Sequence, residues 1–310
     1  MTSASKTRAI LIAGPTASGK SRLALRLAEE LGGVVINADS MQVYRELRIL
    51  TARPTPEDEA RAPHALYGFV SGAIAYSAGR YATDAGTAIE TARACGRVPI
   101  VVGGTGLYFK ALLEGLSPVP AIDPEVRAHW REQASSRPVA ELHAVLARRD
   151  PATAARLMPT DPQRIVRALE VLESTGRSLT DWQREPGRPV LVERETVRLL
   201  ALPDGDGQDV IARRFDAMLA AGALDEVRAL EGLGLSAELP IMRALGVAQL
   251  VAHLAGEITL QAAVEAAKSA TRQYAKRQMT WLRRNMISWM PITAQQMEKI
   301  DTENLPFSGL

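Results

Sequence analysis

The chain has 310 residues, 46% of them hydrophobic and 23% charged, which is ordinary globular usage and excludes a disordered tract, a collagen-like repeat or a disulfide-stapled miniprotein. The formal net charge is +2, from 37 basic and 35 acidic residues, so the overall balance selects no class of partner. A single cysteine, Cys95, makes an intrachain disulfide impossible and fits a reducing compartment; its place in a helical apolar pattern predicts a core thiol. No apolar run approaches a membrane span, and Ala9–Ala13 is too short for a signal-peptide core. A soluble, cytoplasmic protein with no membrane attachment is expected.

Residues 8–13 form a short β-type run that enters a Gly-rich turn. An amphipathic helix follows, with Leu23, Leu27 and Leu31 at helical spacing, ended by Gly32-Gly33. Val34 to Ala38 reads as a second buried strand ending at Asp39, and Leu66 to Val70 as a weaker strand. A helix from about Ala78 to Ala94 precedes a third apolar run, Val98 to Val102, which ends in Gly103-Gly104-Thr105-Gly106. Strands alternating with helices predict an α/β fold: a P-loop NTPase-like parallel sheet flanked by helices. Residues 123–195 hold helices and turns but no convincing strand, with 12 Arg, 12 acidic residues and no Lys, and a β-run returns at Val197 to Leu202. The expected organisation is therefore a first part of the core over 1–122, an all-helical insertion domain over 123–195, and a return to the core with basic C-terminal helices over 196–310. A long helix is expected from about Thr259 to Arg284, and a loose tail over the last dozen residues.

Gly14-Pro15-Thr16-Ala17-Ser18-Gly19-Lys20-Ser21 fits G-x-x-x-x-G-K-[ST], with a strand before it and a helix after it. Small residues let backbone N–H groups curl round an anionic oxygen cluster, and the helix N-terminus adds its dipole. Lys20 supplies a point charge, and the Ser21 hydroxyl is a ligand for Mg²⁺. The motif specifies a phosphate or diphosphate site, with ATP binding among the expectations, without specifying the reaction. A switch or motor NTPase normally has a strand ending in a Mg²⁺-side Asp; here the third run ends in glycines and no acid.

The best-placed acid is Asp39, 19 residues after Lys20. In an open parallel sheet, strand ends share the carboxyl edge where ligands bind. A carboxylate there can accept a proton or cap a helix, and position alone leaves both open. Thr105 lies in a glycine-flanked turn, where its hydroxyl can bond a leaving oxygen or cap the helix around Leu107 to Leu113.

Several strings together resemble the tRNA dimethylallyltransferases. They are Gly14–Ser21, Asp39-Ser40-Met41-Gln42-Val43-Tyr44, Thr51-Ala52-Arg53-Pro54, Gly103–Tyr108, Asp161–Val171, Met242–Gly246 and Thr271–Arg283, in family order along nearly the whole chain. The resemblance implies an enzyme that transfers a dimethylallyl group from dimethylallyl diphosphate to N6 of adenosine 37, beside the tRNA anticodon, with Mg²⁺ as cofactor. It implies that Gly14 to Ser21 hold the diphosphate, that Asp39 takes the N6 proton, that Thr105 sits near the leaving group and that Arg214 contacts the diphosphate. The chemistry suits the residues, because charge develops on the leaving diphosphate and no activated water is needed. A monomer is expected. The sequence departs from the family pattern at Leu50 (usually Gly), Arg53 (usually Lys), Ala65 (often His) and Val247 (usually Tyr).

The same resemblance implies tRNA contacts, through the anticodon stem-loop, at Asp39, Ser40, Met41, Gln42, Thr105, Arg127, Gln163, Arg164, Ile165, Val166 and Arg167. It implies them also at Arg243, Ala244, Leu245, Gly246, Val247 and Ala248, and at Lys276, Arg277, Gln278, Met279, Thr280, Trp281, Leu282 and Arg283. Independently, Gln261 to Met290 carries six basic residues and one acid. Lys268, Arg272 and Lys276 share a helix face by spacing, and Tyr274 and Trp281 supply planar side chains, a combination suited to phosphates and bases. Without the resemblance, a small-molecule kinase of the P-loop class and a non-catalytic RNA-binding P-loop protein share parts of this pattern; the helical insertion and basic helix disfavour a minimal kinase.

Overall fold

The computed structural model describes residues 8–203, 205 and 207–300. The chain forms two compact units, one comprising residues 1–113 and 190–310 and the other Glu114–Pro189. The first opens with β1 (Ala9–Ala13), α1 (Lys20–Leu31), β2 (Val34–Asn37), α2 (Pro56–Arg61), β3 (His64–Ala65), α3 (Ala78–Ala94), β4 (Pro99–Gly103) and α4 (Gly106–Leu113). The second holds α5 (Pro124–Ser136), α6 (Val139–Arg149), α7 (Pro151–Ala154), α8 (Pro162–Thr175) and α9 (Leu179–Trp182). The first then resumes with β5 (Thr196–Ala201), α10 (Gln208–Ala220), α11 (Ala223–Glu231), α12 (Val247–Leu254), α13 (Leu260–Asn285), β6 (Met290–Ile292) and α14 (Ala294–Lys299).

The sheet runs β3-β2-β4-β1-β5-β6 with every pair parallel. Its central strands are continuously apolar because helices cover both faces. Ile10, Ile12, Ile100, Val102 and Leu199 pack with Leu23 and Leu27 of α1. Leu11, Ile36 and Val101 point the other way, into a core with Tyr81, Phe109 and Leu282. This is the P-loop NTPase-like architecture, with the Gly-rich loop between β1 and α1.

Within the first unit, two expectations differ from what is observed. The strand near Leu66–Val70 is instead β3 at His64–Ala65; left-handed backbone at Leu66 (φ 64°) and Gly68 (φ 56°) stops the extended run, leaving only a bridge between Tyr44 and Val70. Cys95 is exposed, because α3 ends at Ala94 and the thiol sits on the cap, one residue past the buried periodicity. β6 and α14 complete the sheet and cover α1 where no element was anticipated; β6 is three residues long and contains Pro291, too little for a pattern. The expected tail lies, from residue 301 on, outside the described residues.

The helical unit begins before residue 123 and ends before 195. Val190 and Leu191 belong with the sheet, since both N–H groups donate to Leu112 O (2.8 and 2.9 Å) and Leu191 is buried in that core. Inside the helical unit, Asp123, Asp150 and Asp161 cap α5, α7 and α8, each followed by Pro at the first turn. Trp130, Leu142, Leu146, Ile165 and Leu169 form its own core. Among the described residues no helix is long and apolar enough to cross a membrane.

Candidate active site

Register brings the chemistry together. Ala13 pairs with Gly103 and Asn37 with Val102, so β1, β2 and β4 end level on the carboxyl edge. Gly14 N donates to Gly103 O (3.2 Å), and Thr105 N to Ala38 O (3.2 Å), stitching the three loops side by side. Gly103 has no room for a side chain because the Ala38 backbone lies against it.

The Gly14–Ser21 loop turns back on itself through left-handed backbone at Ala17 (φ 65°) and Gly19 (φ 81°). Gly19 caps α1 without a side-chain bond, which leaves the first N–H groups of the helix to a ligand. A Cβ at Gly14 would press on Ser18 Oγ and Ala201. Ser18 Oγ is buried with no partner, an orphaned polar atom of the kind a bound anion satisfies. Lys20 Nζ folds back to donate to Pro15 O (3.0 Å). Burial pulls the Lys20 ammonium down to about 8; Asp39 works against this and Arg214 adds to it.

Asp39 follows Asn37, which is fully buried (0% exposed). Asn37 Nδ2 donates to Asp39 O (2.9 Å) and Leu66 O (3.0 Å), and its Oδ1 accepts from Asp39 N (2.8 Å). No helix follows; Asp39 Oδ1 accepts from Met41 N (2.9 Å) in an Asx turn. Thr105 caps no helix with its hydroxyl: Oγ1 accepts from Ser40 N (2.9 Å) and donates to Ser40 Oγ (3.3 Å). Asp39 and Thr105 are thereby fixed side by side. Gln42 Nε2 is tied to Thr51 O (2.8 Å) and Ala52 O (3.0 Å).

Arg214, on α10, is partly buried; burial lowers its pKa and Asp39 raises it. Lys20, Asp39 and Arg214 thus form one electrostatic group, two cations around one carboxylate. Three tyrosines from separate segments feel the same carboxylate. Burial chiefly, and Asp39 next, raise Tyr67, Tyr108 and Tyr274, the last to about 12. A cavity of about 220 Å³ opens beside Ser21, with Gln42, Arg53, Asp58, His64 and Tyr67 on its walls.

Of the residues expected to touch RNA, Lys276, Arg277, Thr280 and Arg283 are exposed on α13. Lys276, Arg277, Thr280 and Trp281 line an open surface concavity with Gln273 and Arg284. Arg277 lies over the Tyr274 ring (5.8 Å). The basic stripe is shorter than its spacing suggests: Lys268 is only 9% exposed and paired with Asp216 (2.8 Å) and Glu265 (3.4 Å). Gln278, Leu282, Ile165 and Val247 are buried, turned inward by the spacing of their helices, and Ala244 and Gly246 are buried in the turn before α12, so none of these side chains faces outward to a ligand. Arg243 and Ala248 are exposed, with Leu245 partly so. In the helical unit, Arg127, Gln163 and Arg164 are exposed and Val166 and Arg167 half-buried, Arg164 pairing with Asp161 (3.4 Å) and Arg167 with Glu170 (3.6 Å).

Sequence reading missed the supports. Asn37 is an amide closing an apolar strand, a visible signal. Glu226 gave none: from α11 it accepts N–H bonds from Arg48, Ile49 and Leu50 (2.5, 2.8 and 2.9 Å), holding the segment whose carbonyls bind Gln42. Two departures from the family pattern are absorbed here. Leu50 is buried beside Gly246 and Phe215, and Arg53 covers Gly68 and donates to Tyr44 O (3.3 Å).

Comparison with known proteins gives a consistent result. The family model described as IPP transferase matches residues 42–285, and one described as isopentenyl transferase matches 7–64. The tRNA dimethylallyltransferase of Parvibaculum lavamentivorans is 53% identical over 302 residues, covering 97% of this chain and 95% of its own. That of Nitrobacter hamburgensis is 57% identical over 281 residues, covering 90% and 88%. Among solved structures, a eukaryotic dimethylallyltransferase captured acting on tRNA superposes with a TM-score of 0.80 at 27% identity, covering 96% of this chain and 77% of its own. The full-length tRNA isopentenylpyrophosphate transferase of Bacillus halodurans gives 0.66 at 32% identity, covering 96% and 92%.

Proposed function

The chain belongs to the IPP transferase family, and from that premise we propose that it transfers the dimethylallyl group of dimethylallyl diphosphate to N6 of adenosine 37, beside the anticodon of a tRNA. The observation that carries this reading is the meeting of the phosphate loop, Asp39 and Thr105 on one sheet edge, with Arg214 of α10 coupled electrostatically to Asp39 and Lys20. A diphosphate in the loop would face Lys20, Arg214 and the uncapped N–H groups of α1, all suited to charge that grows as the allylic carbon–oxygen bond breaks. The N6 lone pair forms the new bond to that carbon, the electron pair of the broken bond leaves on diphosphate, and N6 gives up a proton. Asp39 would be the base: one carboxylate oxygen is held by Met41 N–H, which fixes the side chain, and the other is left to accept the proton. Thr105, fixed against Ser40, would orient the reacting groups.

The residues fit Mg²⁺ bound chiefly by the substrate. Among the described residues no three His, Cys, Asp or Glu cluster into a metal site. The exposed Ser21 hydroxyl at the end of the loop would be the protein ligand, an oxygen suited to an ion that keeps water and phosphate oxygens around it. When bound, Mg²⁺ would neutralise charge on the leaving diphosphate. The adenine must leave its stack to reach Asp39, and the exposed basic residues of α13 with Trp281 suit the surrounding RNA. The same reading takes the enzyme to act as a monomer in the cytoplasm, on the tRNA found there.

The test is incubation with unmodified anticodon stem-loop RNA, Mg²⁺ and labelled dimethylallyl diphosphate. Label on adenine with release of diphosphate is expected. Turnover of ATP onto a small alcohol or nucleotide would instead indicate a kinase, and RNA binding without diphosphate release a binding protein.

A further inference from the structure

Gln278 lies on the inner side of α13, 6% exposed, and its amide joins two loops of the candidate active site. Oε1 accepts from both the N–H and the hydroxyl of Thr16 in the phosphate loop (3.0 and 3.2 Å). Nε2 donates to Gly104 O in the turn after β4 (3.0 Å). The polarity fixes the amide's orientation, since only the oxygen can serve Thr16 and only the nitrogen can serve the carbonyl. Space is reserved for it: a Cβ at Gly104 would overlap the Gln278 amide. One turn further along α13, the Trp281 ring lies where a Cβ at Gly106 would be. The inner edge of α13 therefore seats on the Gly103–Gly106 turn, with Gln278 reaching past it to the phosphate loop.

We propose that Gln278 is a positioning residue for donor binding, a clamp that sets the phosphate loop and the Thr105 turn relative to each other, and not a contact for RNA. The proposal rests on the transferase reading for the identity of the donor. Holding the Thr16 N–H outward, onto the amide, fixes the adjoining peptide plane and hence the directions of the loop N–H groups that remain for the diphosphate. Preorganised donors of this kind stabilise developing charge without reorganising at the moment of reaction. Gly104 precedes Thr105, whose hydroxyl holds Ser40 N–H next to Asp39. Releasing the clamp therefore disturbs both the donor side and the base side. Lys276 and Arg277, the neighbours of Gln278 in sequence, are exposed and keep their surface.

Gln278→Met keeps length and burial while removing all three hydrogen bonds and orphaning Thr16 N–H and Gly104 O. Inorganic diphosphate with Mg²⁺ is the calorimetric probe, because it reads the loop without requiring transfer. Affinity is expected to fall by about 10- to 100-fold, the range for losing a few neutral hydrogen bonds. Affinity for stem-loop RNA should stay within about threefold, because no exposed contact is lost. In transfer assays, KM for dimethylallyl diphosphate should rise and kcat fall together. Thr16→Val removes one of the three bonds without touching α13 and should weaken diphosphate binding by about two- to tenfold. In the double variant the losses should be less than multiplicative, because both act through the same contact.

Diphosphate affinity unchanged in Gln278→Met, with RNA affinity lost, would overturn the clamp and return Gln278 to the RNA surface. Should Gln278→Met fail to fold, Thr16→Val decides: a wild-type diphosphate affinity there overturns the proposal. A wild-type protein that binds diphosphate yet transfers nothing to RNA refutes the transferase reading while the clamp is still measured.

Discussion

Asp39→Asn removes a negative charge and little else. Asn keeps an oxygen for the Met41 N–H bond (2.9 Å), and the Asn37 bonds to the Asp39 backbone (2.8 and 2.9 Å) do not involve the side chain. Asn and Asp serve such turns about equally, so stability should change by less than about 1 kcal/mol. The electrostatic consequence has a definite sign. Asp39 is the carboxylate that offsets Lys20 and Arg214, and without it two cations face the donor unneutralised. Diphosphate binding should therefore be unchanged or tighter. Transfer should nevertheless slow by about 10²- to 10⁴-fold, the usual cost of losing a general base; at 1.36 kcal/mol per decade this is about 3–5 kcal/mol on the barrier. Single-turnover transfer with saturating donor separates the two effects, with melting and RNA affinity measured alongside. Wild-type transfer by a folded Asp39→Asn would refute the base assignment and leave the carboxylate as a turn cap.

Lys20→Ala should raise the Kd for diphosphate by at least about tenfold, the range for a charge-assisted contact, without lowering the melting temperature, since burying this ammonium is unfavourable enough to pull its pKa to about 8. Unchanged donor kinetics would refute the assignment of the loop. If α13 holds RNA phosphates, Lys276→Ala with Arg277→Ala should flatten the fall of RNA affinity with salt by about one to two in log–log slope, while a slope equal to wild type would leave that face merely solvated. Gly106→Ala places a methyl group on the Trp281 ring and should destabilise by about 1–3 kcal/mol, as overpacking does; wild-type melting would mean that α13 does not seat on the turn.

Much of the candidate site's layout was legible because the signals that mark it are local. The phosphate loop declares itself by glycine spacing between a strand and a helix. Asp39 and Thr105 declare themselves by standing at the ends of apolar runs, and parallel topology then brings them to one edge. The buried strands were legible for the same reason, since a strand covered on both faces must be apolar throughout. Boundaries failed where the signal depended on something distant. Leu66 to Val70 has β-type composition, but Asn37 holds the Leu66 carbonyl in a left-handed turn (3.0 Å) and the strand stops. Cys95 fits the apolar periodicity of α3 but lies one residue beyond its end.

The supports were not legible, and the reason is the length of chain they span. Gln278 reaches a residue 262 positions away at Thr16 and one 174 away at Gly104, and no local rule connects an amide on a basic helix to a Gly-rich turn. Read on the helix alone, Gln278 sits among Lys276, Arg277 and Thr280, and its polarity suggests that it joins them on the surface. The helix period denies this: Gln278 lies one turn from Trp281 and Leu282, on the side that packs inward, so a polar residue there must find a partner inside the protein. The partner requirement was readable in principle from that position. Which loops would satisfy it followed only once β1 and β4 were adjacent, placing Thr16 and Gly104 on either side of the same amide.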